Sequence, residues 1–302
     1  MSHPMEFDGQ MLTAWKTSLH GHTTVSDGLL TPEEAIARYA AAGYDAMNFS
    51  DHRKTNPVHT YDGRGMTLIS GVELHPMGPR EILWHLLAVN VPEDFPGIYE
   101  TAEEAVAAVH RAGGAVYIAH PYWCGFLVEE LLPIARQPGV IGCEIFNTCC
   151  GCVCKDDNSA YVDALLDLGL PVNIIAVDDS HNPWEFCFNW TMIVAEENTP
   201  ESLTAALKRG SAYASQGPEF YRISCRDGIF EAEFSPAAQA MVICERGIGR
   251  DFSGNDPARW HEDRLTGIRL DLRDFPAKKY LRCRIKDAAG RFAWTNPILL
   301  HR

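Results

Sequence analysis

Through about residue 215 the chain alternates short apolar runs with helical segments, and this alternation constrains its fold more than any other feature. The apolar runs are Thr17–Leu19, Ala46–Ser50, Thr67–Val72, Leu83–Val89, Ala115–Ala119, Gly142–Phe146, Val172–Val177 and Trp190–Val194. They are rich in Val, Ile, Leu and aromatic residues without strict alternation, as expected of strands buried on both faces. The helices between them are punctuated. Thr31-Pro32-Glu33-Glu34 supplies a capping hydroxyl, a first-turn proline and a capping-box carboxylate. Thr101 with Glu104 and Thr199-Pro200 repeat parts of that signal, and Gly43, Gly113, Gly169 and Gly210 stand where helices should end. Seven or eight strand–helix units over about 200 residues predict an α/β fold with a mostly parallel sheet, closed or distorted into a barrel.

After Gly217-Pro218 the texture changes. Tyr221–Arg226, Ile229–Phe234, Ala240–Glu245, Gly267–Leu272, Tyr280–Asp287 and Ile298–Leu300 read as short strands with no helix between them. The expected organisation is therefore a barrel over 1–217 and a small, sandwich-like all-β domain over 218–302.

The 302 residues carry 26 basic and 40 acidic side chains, a net charge of −14, which argues against a general nucleic-acid surface. The first twelve residues lack a basic stretch followed by an apolar core, and no apolar run approaches the ~18 residues of a spanning helix. With ten cysteines read as free thiols, a reducing cytoplasm is the expected compartment and no membrane partner is expected.

Six of the twelve histidines stand at or near predicted strand ends, and carboxylates share those places. The first strand delivers His20-Gly21-His22, whose imidazoles share a face because residues two apart in an extended chain do so. Asp27 follows. The second strand ends in Ser50-Asp51-His52 and the third in Gly71-Val72-Glu73. His85 lies in the fourth, His120 closes the fifth, and Asp178-Asp179-Ser180-His181 closes the seventh. Strand ends at one barrel pole converge although they are distant in sequence. The candidate metal-ligand set is His20, His22, Asp27, His52, Glu73, His85, His120, Asp179 and His181. Imidazole and carboxylate together suit Zn, Fe or Mn, and six imidazoles with three carboxylates exceed the needs of one ion, so two or three divalent ions are expected. Three such ions, three carboxylates and one bridging hydroxide sum to about +2, which attracts a phosphate even into an acidic protein. The expected nucleophile is a metal-bound hydroxide held by Glu73, His120 and Asp179.

These motifs resemble those of the PHP (polymerase and histidinol phosphatase) family. His20-Gly21-His22 with Ser26-Asp27-Gly28 resembles its first motif and Ser50-Asp51-His52 its Thr-Asp-His motif. Gly71-Val72-Glu73, Ala119-His120-Pro121 and Asp178-Asp179-Ser180-His181 are similar to three more. Two further stretches, 210–218 and Ala293-Trp294-Thr295-Asn296-Pro297, look like the CehA/McbA metallohydrolase branch, which appends a C-terminal β domain. The resemblance implies a distorted seven-stranded, TIM-like (β/α)7 barrel with up to three metals and phosphoesterase activity. It implies that Glu73 bridges two ions, that His20, His22 and Asp179 serve one, and that Asp27, His52 and His181 serve another. His85 and His120 then complete the shared shell. Thr148 and Cys149 stand where some relatives offer another ligand.

Asp51 and Asp178 are read either as imidazole-orienting groups or as loop caps. Arg53, Lys54 and Asn147 are candidate substrate contacts, and Glu144 with Asn147 resembles an element of the same branch. Cys149, Cys150, Cys152 and Cys154 read as a loop of free thiols near the mouth, because the spacing lacks paired Cys-x₂-Cys geometry. His3, His59, His75, His110, His261 and His301 are assigned to structure or surface, with His75 the strongest exception. The expected activity is hydrolysis of a small-molecule phosphoester. A carbamate or carboxyl-ester hydrolase using the same centre and a non-catalytic, metal-stabilised binding protein are the alternatives.

Overall fold

The computed structural model describes residues 1–254 and 261–300; His301 lies outside them. The chain opens with a hairpin, β1 (His3–Phe7) and β2 (Gln10–Ser18). Helix α1 (Pro32–Ala41) follows, then β3 (Ala46–Asn48), β4 (Thr67–Ile69), β5 (Gly71–Leu74) and β6 (Leu86–Val89). Next come α2 (Ala102–Arg111), β7 (Ala115–Ile118), α3 (Pro121–Cys124), α4 (Val128–Ala135), β8 (Val140–Asn147), α5 (Ser159–Asp167) and β9 (Asn173–Val177). The first half ends with β10 (Trp190–Ala195), α6 (Pro200–Lys208) and β11 (Ala212–Ser215).

The expected caps form. Thr31 accepts the Glu34 N–H while Glu34 takes the Thr31 N–H at 2.8 Å, a reciprocal pair worth about 1 kcal/mol. Thr101 and Thr199 cap α2 and α6 through the hydroxyl alone, accepting the N–H of Glu104 and of Ser202.

The strands form a mixed, curled array, which departs from the mostly parallel barrel expected from the alternation. β2, β3 and β4 are parallel neighbours, as are β7, β8 and β9, but β6 runs antiparallel to both β5 and β7. The reason is the link between β5 and β6: eleven residues with a single 3-10 turn cannot make the crossover that a parallel neighbour requires. β10 also lies antiparallel to β2. Residues 67–74 bend at Ser70 and pass from the larger sheet to the smaller. At the opposite seam, β9 and β2 meet through a parallel bridge between Gly21 and Ser180. There His22 N–H donates to Ser180 O at 2.9 Å and Asp179 N–H to His20 O at 3.0 Å. Gly21 is required at this seam, since a Cβ there would lie 2.9 Å from Ser180 Oγ. Leu19, Ala46, Ile69, Leu87, Tyr117, Ile175 and Ile193 fill the interior.

The later strands are β12 (Phe220–Arg226), β13 (Ile229–Ala237), β14 (Gln239–Cys244), β15 (Gly249–Asp251), β16 (Leu265–Asp271), β17 (Tyr280–Lys286), β18 (Phe292–Thr295) and β19 (Ile298–Leu299). They are hydrogen-bonded into the same large sheet, β12 through β1 and β18 through β11. The two stretches singled out near residues 210–218 and 293–297 are thus neighbours. Tyr213 faces Thr295, Ala214 faces Trp294, and the Asn296 amide donates to the Gly210 and Ala212 carbonyls at 3.1 Å. A second core spans both halves, with Met5, Val194 and Tyr213 packed among Phe220, Phe230, Val242 and Leu281. Among the described residues no helix is long and apolar enough to cross a membrane.

Candidate metal centre

Reversal of β6 decides where His85 sits. In a strand running against its neighbours, the residue before the strand lies at the pole where the others end. His85 therefore joins His20, His22, Asp27, His52, Glu73, His120, Asp179 and His181, and all nine residues read as ligands meet at one pole.

Glu73 is at the middle and is fully buried. Its Oε1 lies 2.8 Å from His85 Nδ1 and 3.4 Å from His120 Nε2. Its Oε2 lies 2.7 Å from His52 Nδ1, 3.4 Å from His75 Nε2 and 3.6 Å from Nε2 of both His20 and His22. Asp179 Oδ1 stands 2.9 Å from His22 Nε2 and 3.2 Å from His20 Nε2. Asp27, half exposed, faces His52 Nε2 at 3.4 Å and His181 Nε2 at 3.7 Å. These side chains fall into overlapping groups whose ligand atoms all lie within 4.8 Å of one another. The groups are His20–His22–Asp179, His20–Glu73–His120, His22–Asp27–His52–His181 and His52–Glu73–His75.

The donor set fits divalent cations on an observation independent of spacing. Glu73 Oε2 is buried, and among the described residues no group donates a hydrogen bond to it although four imidazole nitrogens surround it. A buried carboxylate oxygen without a donor costs free energy, and lone pairs converging on one place are what a cation satisfies.

Protonation energetics show the same competition. Burial would lower the His20 pKa, but Asp179, Glu73 and Glu144 outweigh it and hold it well above the usual imidazole value. His120 is raised likewise against burial, through Cys124, Glu73 and Glu144. His22 is lowered, burial prevailing over its contact with Asp179. Burial opposes ionisation of Glu73 and Asp179, yet imidazoles pull both well below the usual carboxylate range, His85 and His20 foremost for Glu73 and His20 and His22 for Asp179. Without cations, the cluster is held by shared protons.

Backbone strain accompanies the site. His120 and Asp179 adopt φ of 23° and 53°, left-handed conformations that cost of order 1–3 kcal/mol in a non-glycine residue. Each is held by other members of the site: the Glu144 carboxylate accepts His120 N–H at 2.8 Å, and His20 O accepts Asp179 N–H.

Asp51 makes the contacts of the loop-capping alternative read for it. Its fully buried oxygens accept Thr23 N–H and Oγ1–H at 2.8 Å, Ser26 Oγ–H at 2.7 Å and Asn56 Nδ2–H at 2.7 Å, so it ties down the loop that presents Asp27. Asp178 similarly receives the N–H groups of Cys187, Phe188 and Asn189, and burial lifts its pKa to about 6. Asn147 is fully buried, donating to Glu144 at 2.9 Å and Asp179 at 3.1 Å. Lys54 binds Val25 O across the loop, and Arg53 is exposed beside His52.

Two residues outside the ligand set read from the sequence also border the centre. Glu144, fully buried in β8, receives Nδ1 of His20 at 2.6 Å and so sets that imidazole's orientation. A carboxylate inside an apolar strand was its signal, since buried acids are rarely unpaired. His75 was placed with the structural histidines, but its side chain is 5% exposed and faces Glu73. Cys149 borders the site, its Sγ 3.9 Å from His181 Nδ1, while Cys152 and Cys154 are exposed; all four thiols of this loop are free. Trp123, partly exposed, stands edge-on to His85 and His120 with ring centroids at 5.6 and 5.2 Å.

No protein-family model matches the chain. It resembles a two-domain protein from Bacteroides vulgatus ATCC 8482, described as containing a predicted PHP-like metal-dependent phosphoesterase. The TM-score is 0.57 at 14% identity, covering 95% of this chain and 96% of that one. The two share a fold. In sequence, the chain is 30% identical over 112 residues to the 5'-3' exoribonuclease Rnm of Salmonella typhimurium (strain LT2). It is 27% identical over 118 residues to the Rnm of Escherichia coli (strain K12). Each match covers 37% of this chain and 31% of the relative, so the chain spans under a third of the length of these curated relatives.

Proposed function

We propose that the protein is a metal-dependent phosphoesterase of the PHP type, hydrolysing a phosphate ester of a small molecule. The observation that carries this reading is Glu73: a buried carboxylate with one oxygen lacking a donor, ringed by imidazole nitrogens at 2.7–3.6 Å. Likeness of fold to a protein described as PHP-like supports it. On this reading the seven strands β2, β3, β4–β5, β6, β7, β8 and β9 are a distorted barrel of that type. The strands after residue 217 are the appended β domain of its CehA/McbA branch.

Glu73 would bridge two cations. His20, His22 and Asp179 would complete one position and His85 and His120 the other, with Asp27, His52 and His181 holding a third. Zn, Fe or Mn suits this mixed donor set; such ions lower the pKa of water toward ~7 and neutralise phosphoryl charge. The chain's own contribution is positional. Glu144 keeps Nδ1 of His20 occupied so that Nε2 faces the centre, and Asn147 fixes Asp179 from behind. Arg53, exposed next to His52, is placed to receive an incoming phosphate, and Trp123 offers a flat apolar wall for the organic part of the ester. Cys143, Cys150, Cys244 and Cys283 are buried free thiols, which suits a reducing compartment such as the cytoplasm.

A second reading comes from the Rnm relatives: hydrolysis of a phosphodiester at an RNA end. The −14 charge favours the small-molecule reading over it. The test compares nitrophenyl phosphate, a nitrophenyl carbamate and a short 5'-phosphorylated RNA, using wild type and Glu73→Ala at measured metal content. We expect phosphate hydrolysis by wild type, with both metal and activity lost in Glu73→Ala. Fully metallated wild type that turns over no phosphoester would overturn the proposal.

A further inference from the structure

One imidazole outside the set read from the sequence enters the centre. His75 follows Glu73 by two residues, with β5 ending between them at Leu74, so both side chains leave the same face of an extended segment. Its Nε2 lies 2.7 Å from His52 Nδ1 and 3.4 Å from Glu73 Oε2. Its ring stands edge-on to His85 at 4.2 Å and to His52 at 4.6 Å. The side chain is 5% exposed, far less than His52, so solvent cannot serve its inner nitrogen.

Two imidazole nitrogens 2.7 Å apart repel, lone pair against lone pair, unless a proton or a cation lies between them. A proton there satisfies that pair and leaves Glu73 Oε2 buried without a donor. A cation satisfies all three atoms together. We propose that His75 is a metal ligand, with its Nε2 and Glu73 Oε2 sharing a cation position that His52 Nδ1 can complete. The inference rests on the metal-centre reading. A neutral imidazole has one free lone pair, so His52 serves either this position through Nδ1 or the Asp27–His181 side through Nε2. His75 is therefore the imidazole that this position keeps when His52 turns to the Asp27–His181 side.

The test uses full-length protein labelled with ¹⁵N at histidine and titrated with Zn(II), the bound ion being counted by elemental analysis. The His75 Nε2 resonance, assigned with His75→Gln, should leave its metal-free position as zinc binds. His75→Gln should weaken one binding step by more than the roughly 100-fold typical of losing an orienting partner. If wild type takes up zinc while His75 Nε2 stays in place, His75 is no ligand and this inference fails alone. If wild type takes up no zinc, the metal-centre reading itself fails. Where His75→Gln does not fold, His75→Asn supplies the assignment and the wild-type resonance decides the matter.

Discussion

Glu144→Gln keeps the side chain's shape and removes one acceptor, which makes it a sharp probe of how the centre is organised. Oε1 of Glu144 takes Nδ1 of His20 at 2.6 Å, and Oε2 takes His120 N–H at 2.8 Å and Asn147 Nδ2 at 2.9 Å. With His20 protonated on Nδ1, all three partners are donors. An amide has one acceptor oxygen for these two places. Turned one way, its NH₂ group leaves two buried donors unmet, at about 1–3 kcal/mol each. Turned the other way, it forces the His20 proton onto Nε2, the nitrogen that faces Asp179 and Glu73 and is needed for a cation. Either arrangement should weaken cation binding by about 10- to 100-fold, equivalent to roughly 1.4–2.8 kcal/mol. Competition between metal-free protein and a chromogenic chelator for Zn or Mn measures this directly. Hydrolysis should remain depressed at saturating metal, because Asn147 loses its anchor against Asp179. Wild-type affinity in Glu144→Gln would refute the claim that this carboxylate sets the His20 tautomer.

Acid–base behaviour supplies another test. His20 and His120 have raised pKa values, so their stabilisation of metal-free protein is complete below the ordinary imidazole value of 6.5 and is lost as pH rises through the raised values. Glu73 and Asp179 are depressed, so theirs is present above the ordinary values of 4.5 and 3.8 and is lost as pH falls through the depressed ones. These four groups together favour metal-free protein between about pH 4.5 and 6.5, and saturating metal should move the optimum of thermal unfolding upward because ligand imidazoles must be neutral. An optimum unmoved by metal would contradict the shared-proton description. Away from the site, buried Arg282 on β17 makes a two-pronged pair with Asp163 on α5 at 2.8 and 2.7 Å. Asp163→Ala should cost about 3 kcal/mol by stranding that guanidinium, and adding Arg282→Met should recover much of it. Denaturant unfolding of the two variants checks this, and equal stability of Asp163→Ala and wild type would show the pair to be dispensable.

Much of the local structure was legible in the residues themselves. Thr31 and Glu34 announce the start of α1, and the apolar runs locate the strands, because caps and buried strands depend on neighbours close in sequence. His20, His22, Glu73, His120 and Asp179 were recognisable because imidazole and carboxylate at strand ends have few other uses. What such patterns omit is direction and partnership. Nothing within Leu83–Val89 states that this strand runs against its neighbours; that follows from the short 3-10 link before it.

The sequence by itself determined which donors are available and which strand ends present them, since both depend on residue chemistry and local propensity. Only the tertiary structure decided that Glu144 and Asn147 stand behind the centre, that Asp51 ties a loop, and that His75 faces inward. Those roles depend on distances between atoms more than twenty residues apart, or on which face of a strand is turned to a partner. Long-range packing sets both, and no short stretch of chain encodes them alone.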